Sequence, residues 1–123
     1  MGLTPSEGRV VEWIASREQE LVELLRELIA FDTRAGAAGE PARDEAALQA
    51  HLARRLGVAG AAVELTEPDA TPFHGHPMVP ERFTFAGRPQ LVARFAGVGG
   101  GRSLLLNGHG EGQEQHVKRR RAA

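Results

Sequence analysis

Arg102-Ser103-Leu104-Leu105-Leu106-Asn107-Gly108-His109 is the stretch on which the fold turns. Three consecutive leucines bounded by turn-forming residues predict a short strand buried on both faces. Such a strand needs neighbours along its edges and helices over its faces, so the expectation is an α/β fold. The glycine-rich run 97–101 just before it predicts a hairpin turn, and residues 90–95 predict the antiparallel partner strand. A phosphate loop is the alternative for that run. It lacks the Lys-Ser/Thr pair and precedes a strand rather than a helix, so the hairpin is preferred.

Further toward the N-terminus, residues 62–67 alternate weakly, with Val63 and Leu65 on one face, and predict another strand. Between the two, residues 68–89 hold Pro68, Pro72, Pro77, Pro80 and Pro89 and predict an extended surface loop. A loop of that length inside a small domain is often functional. Leu48, Leu52 and Leu56 recur every four residues and predict a helix from about Pro41 to Leu56, with Gly57 at the C-terminal cap. At the start of the chain, Thr4-Pro5-Ser6-Glu7 reads as a capping box with proline at the first helical position. Leu21, Leu24, Leu25, Leu28 and Ile29 lie on one helical face. They predict one long helix, or two joined near Ser16, ending around Phe31. The fold class is therefore α/β: two N-terminal helices, then a partial sheet of three or four strands with the last two buried.

Composition bounds the function. The chain has 123 residues, enough for one ordinary domain, and a formal net charge of -1, which argues against general nucleic-acid binding. It has no cysteine, so any metal ligand must be His, Asp or Glu. No apolar run approaches the roughly 20 residues of a membrane span. The N-terminus shows no signal-peptide pattern, and cytoplasm is the expected location. Met1-Gly2 with Ser6 fits the bare myristoylation pattern, a short and often accidental one.

His109 follows the leucine run directly. Ligands of open α/β sheets bind beyond the carboxyl ends of the strands, and an imidazole placed there is a good zinc ligand. Taken alone, a histidine after a strand is more often an ordinary loop residue. His74-Gly75-His76 is a second candidate. On an extended chain, residues i and i+2 point to the same side, so both rings could reach one metal, with Asp69 or Glu81 as further ligands. The plainer alternative is a surface loop with two solvated histidines. Asp32-Thr33 reads as a polar pair at a helix end, His51 as a polar-face helical residue and Trp13 as a packing residue.

The order of these segments carries more than any one of them. Leu21-Val22-Glu23-Leu24-Leu25-Arg26-Glu27-Leu28-Ile29 is followed by Phe31-Asp32-Thr33. Leu52-Ala53-Arg54-Arg55-Leu56-Gly57, Pro89-Gln90-Leu91-Val92-Ala93-Arg94-Phe95 and the leucine run ending in Asn107-Gly108-His109 come next. Along residues of about 17–109 the chain resembles the opening third of the acetylornithine deacetylase, succinyl-diaminopimelate desuccinylase and aminoacylase family of zinc metallohydrolases. The resemblance implies the start of a zinc-peptidase-like catalytic domain. Its implied activity is hydrolysis of N-acyl amino acids or peptides by water activated on two metals, with a glutamate as base. Carried over residue by residue, His109 matches a metal ligand. Glu111 stands where the family has an aspartate that orients that histidine, one methylene longer than the family residue. The remaining ligands and the general base have no counterpart.

Past His109 the resemblance stops, which divides the chain into a metallohydrolase-like part, residues 1–109, and a divergent polar and basic tail, residues 110–123. A frameshift or premature stop would produce this pattern; a basic localisation or phosphate-binding patch is the alternative for Lys118-Arg119-Arg120-Arg121. The tail is expected to add little to stability, because Val117 is its only large apolar residue. The overall expectation is a truncated amidohydrolase segment, inactive by itself, whose exposed apolar strands invite self-association. The alternative is a non-catalytic remnant or small helical interaction module acting through the leucine face of the first helix.

Overall fold

The computed structural model describes residues 2–34, 36 and 39–110. They fall into two compact units, one ending at Ala30 and the other beginning at Phe31. The first holds helices α1 (Pro5–Ala15) and α2 (Glu18–Ile29). The capping box forms as expected: the Glu7 amide donates to Thr4 Oγ1 at 3.3 Å, and the Thr4 amide donates to the Glu7 carboxylate at 2.6 Å. Of the two sequence alternatives, the broken helix is the one adopted. The Ser16 hydroxyl donates back to the Trp13 carbonyl at 2.8 Å, and Arg17 leaves helical geometry with its guanidinium 4.0 Å above the Trp13 ring. Neither helix buries a residue; Leu21, Leu25 and Ile29 are all exposed.

The second unit is built on helix α3 (Glu45–Val58) and two strands, β1 (Ala62–Thr66) and β2 (Gln90–Arg94). Helix α3 starts later than Pro41 because Asp44 is engaged elsewhere. Its carboxylate accepts the Asp32 amide at 2.8 Å, and its own amide donates to the Asp32 carbonyl at 3.0 Å. The helix also runs through Gly57. It ends in a Schellman motif at Gly60, whose φ of 99° places it in the left-handed region. There the Ala61 amide donates to the Leu56 carbonyl and the Gly60 amide to the Gly57 carbonyl, both at 3.0 Å.

Strands β1 and β2 pair antiparallel, Val63 opposite Ala93 and Leu65 opposite Leu91, so those four side chains share one face. Helix α3 packs on both strands. The core is small: among the described residues Leu48, Ala70 and Thr33 are buried. Both strands lie where the sequence placed them, β1 within residues 62–67 and β2 within residues 90–95. The connection between them is the expected loop, built as successive turns around a short 3-10 segment, Thr71–Phe73.

The leucine run is where expectation fails. Residues 102–110 adopt no regular secondary structure, and Leu104, Leu105 and Leu106 are 82%, 91% and 83% exposed. The ladder partner of β2 is β1, not residues 102–107, and Gly99, Gly100 and Gly101 form bends rather than a hairpin turn. Among the described residues the sheet has two strands, not three or four. The reason is physical. An apolar run with no alternation is held as a strand only by cover on both faces, and one helix over two strands covers one. No helix of the described residues is long and apolar enough to cross a membrane.

Candidate functional site

Residues 107–110 border a groove of about 730 Å³ in the second unit. Its opposite walls come from the first turns of α3, with Glu45 and Leu48, and from the end of the long loop, with Arg82, Phe83, Phe85 and Arg88. Phe83 and Phe85 meet edge to face at 4.9 Å and make the apolar part of that wall. Arg88 ties the walls together: its Nη2 donates to the Glu40 carbonyl at 3.0 Å, and its Nε lies 3.7 Å from the Glu45 carboxylate. Gly87 turns the chain in front of it. Its φ is 71°, and its amide donates to the Glu67 carboxylate at 2.9 Å.

His109 therefore sits at a groove, though not at the end of a strand. Thr33 holds its neighbour: Thr33 Oγ1 donates to the Gly110 carbonyl at 2.7 Å, and a Cβ built on Gly110 would meet Leu48 Cδ2 at 3.4 Å and Gln49 Nε2 at 3.8 Å. Nothing in the sequence reading connected Thr33 with His109; it appeared only as a polar residue at a helix end. Glu111 and the tail from that residue onward lie outside the described residues, as does the expectation that the tail adds little to stability.

The His74 and His76 pair is not on extended chain. Gly75, with φ of 86°, turns the backbone between them, and the His76 amide donates to the Phe73 carbonyl at 3.1 Å. His74 Nε2 bonds the Phe83 carbonyl at 3.2 Å, and His76 Nδ1 accepts the Met78 amide at 3.1 Å. His74 thus ties its turn to the carbonyl of Phe83, nine positions on, and His76 braces its own turn. Asp69 accepts the Thr71 amide at 2.9 Å, which holds its carboxyl below the ordinary value. Among the described residues no three His, Asp or Glu side chains converge, so those residues do not by themselves fit a zinc ion. His51 stacks tilted on Phe31 at 5.5 Å, a packing contact.

The strongest electrostatic feature is Asp32. Arg34 grips its carboxylate in bidentate fashion, Nε to Oδ1 at 2.8 Å and Nη2 to Oδ2 at 2.9 Å, and Arg43 adds a 3.4 Å contact. The Arg34 hydrogen bonds, more than the two charges, hold this carboxyl well below the usual carboxylate range. A folded-state value below the unfolded one means stability that is present above about pH 4 and lost as pH falls toward the folded value. The melting-temperature gap between the native chain and Asp32→Asn should therefore be full at pH 7 and narrow below pH 4. A gap of equal size at pH 7 and pH 2 would count against this role.

No protein-family model, curated protein or solved structure matches the chain.

Proposed function

We propose that this chain carries the opening part of a metal-dependent amidohydrolase domain that acts on N-acyl amino acids or peptides in the cytoplasm. His109 is the metal ligand it contributes, and the chain alone has no hydrolytic activity. One observation supports this best: the segment of closest resemblance, Leu104 to His109, ends at a groove of about 730 Å³, a size suited to a small-molecule ligand. Zinc is the metal the resemblance implies, and its other ligands would come from outside the described residues. Glu111, at the position of the family aspartate, is the residue proposed to orient His109.

A non-catalytic interaction module is the second reading. The exposed Leu21, Leu25 and Ile29 on α2 favour it, since an apolar stripe on a surface helix is a common partner-binding feature.

Two measurements test the proposal. With zinc, cobalt or manganese, the purified chain is expected to turn over N-acetylated amino acids no faster than buffer. A co-catalytic site needs several carboxylates and histidines, and one matched ligand does not make it. Metal-dependent turnover that disappears in His109→Ala would overturn the claim of inactivity. Coding DNA downstream of the His109 codon, read in all three frames, is expected to contain the remaining His, Asp and Glu motifs. Their absence from every frame would overturn the family reading itself.

A further inference from the structure

We infer that Thr33 is a positioning residue for His109: its hydroxyl clips the segment 107–110 to the first turns of α3 and so sets where the imidazole meets the groove. The meaning of that position rests on the proposed function; the clip itself does not.

Residues 102–110 have no strand geometry, so no ladder sets the place of His109. One contact that bears on it is at the next residue, Gly110. The Thr33 hydroxyl reaches across 77 positions of sequence to donate to the Gly110 carbonyl at 2.7 Å. Thr33 is only 5% exposed, so water competes poorly for that bond. On the other side, a Cβ built on Gly110 would meet Leu48 Cδ2 at 3.4 Å. Leu48 and Gln49 belong to the first turns of α3.

Thr33 is itself held to the same helix end. Its amide donates to the Phe31 carbonyl at 3.1 Å. The adjacent Asp32 exchanges two hydrogen bonds with Asp44, the residue preceding α3, at 2.8 and 3.0 Å. The Asp32 carboxylate is gripped by Arg34. The start of α3 is thus the common reference for Thr33, for Gly110 and, one residue before it, for His109. Glu45, on the groove wall, belongs to that helix start too. A threonine four residues after the leucine-rich helix and a histidine near the end of the described chain become parts of one arrangement.

The test needs no metal. Thr33→Val keeps the side-chain shape and removes the donor; Thr33→Ser keeps the donor. In two-dimensional NMR of the full chain, T33V should move the His109 imidazole signals and the Gly108 and Gly110 amide signals toward random-coil positions. The Val63 and Leu91 methyl signals, which report the sheet under α3, should move little. T33S should leave all of them near their native places. A net hydrogen bond of this kind corresponds to roughly a 2- to 12-fold change in the population of the clipped state. Unmoved His109 and Gly110 signals in T33V would overturn the inference. So would T33S spectra displaced as far from native as those of T33V, a comparison that holds even if T33V folds poorly. A His109 that moves in T33V, in a gene whose downstream frames hold no further ligand motif, removes the amidohydrolase reading and leaves the clip standing.

Discussion

Leu48→Ala is expected to lower the melting temperature of the second unit by more than 10 °C. Leu48 is 5% exposed and is the buried residue of α3, where the helix meets the sheet and Gly110. Truncating a buried leucine to alanine typically costs about 2–5 kcal/mol, from lost transfer energy and the cavity left behind. In a domain of this size each 1 kcal/mol moves the midpoint by roughly 4–8 °C. A core of so few buried residues has little reserve, since small domains bury a modest fraction of their surface. Thermal and urea unfolding followed by circular dichroism measures the effect. Leu25→Ala, on an exposed position of α2, is the control and should change stability by no more than about 0.5 kcal/mol. Similar losses for the two variants would show that Leu48 is not the centre of the core.

Gly87→Ala should be nearly as damaging, for two separable reasons. The first is backbone conformation: with φ of 71°, an alanine at this place enters the left-handed region at a cost of about 1–2 kcal/mol. The second is space. A Cβ on residue 87 would lie 2.9 Å from the Cβ of Ala42, closer than such atoms approach, and overpacking of this kind costs about 1–3 kcal/mol. Together they predict a loss of roughly 2–5 kcal/mol. Adding Ala42→Gly removes the clash and leaves the backbone strain, so the double variant should recover part of the loss and never all of it. If Gly87→Ala costs the same with Ala42 present or absent, steric contact has no part in it. The same substitution disturbs Arg88 and the Glu67 hydrogen bond, and with them the groove wall.

Several elements were legible without coordinates because local chemistry is enough to specify them. The capping box at Thr4 uses residues three apart. The break near Ser16 was one of two open readings, and the structure decides it with the Ser16 hydroxyl bonded to the Trp13 carbonyl. Strand β1 alternates in sequence, and both strands are kept because the sheet meets α3. The end of α3 shows the limit of such reasoning. Gly57 was the expected stop signal, and the helix runs through it. The chain uses Gly60, where a positive φ closes the Schellman bonds. The histidine pair at 74 and 76 was misread for a similar reason: two-residue spacing points side chains together only on extended backbone, and Gly75 turns it.

Sequence alone thus determined the helical start, the two strands, the proline-rich loop between them and the candidacy of His109. Each depends on residues within a few positions of one another. Tertiary structure decided the rest. Leu104 to Leu106 are apolar enough for a buried strand, yet burial is a property of what covers a segment, and two strands under one helix offer no second cover. The start of α3 moved because Asp44 bonds to Asp32, twelve positions away. His109 came to a groove through a hydroxyl 77 positions from the carbonyl it holds. Contacts at that separation have no periodicity or spacing rule to announce them, because they form only after the intervening chain has folded.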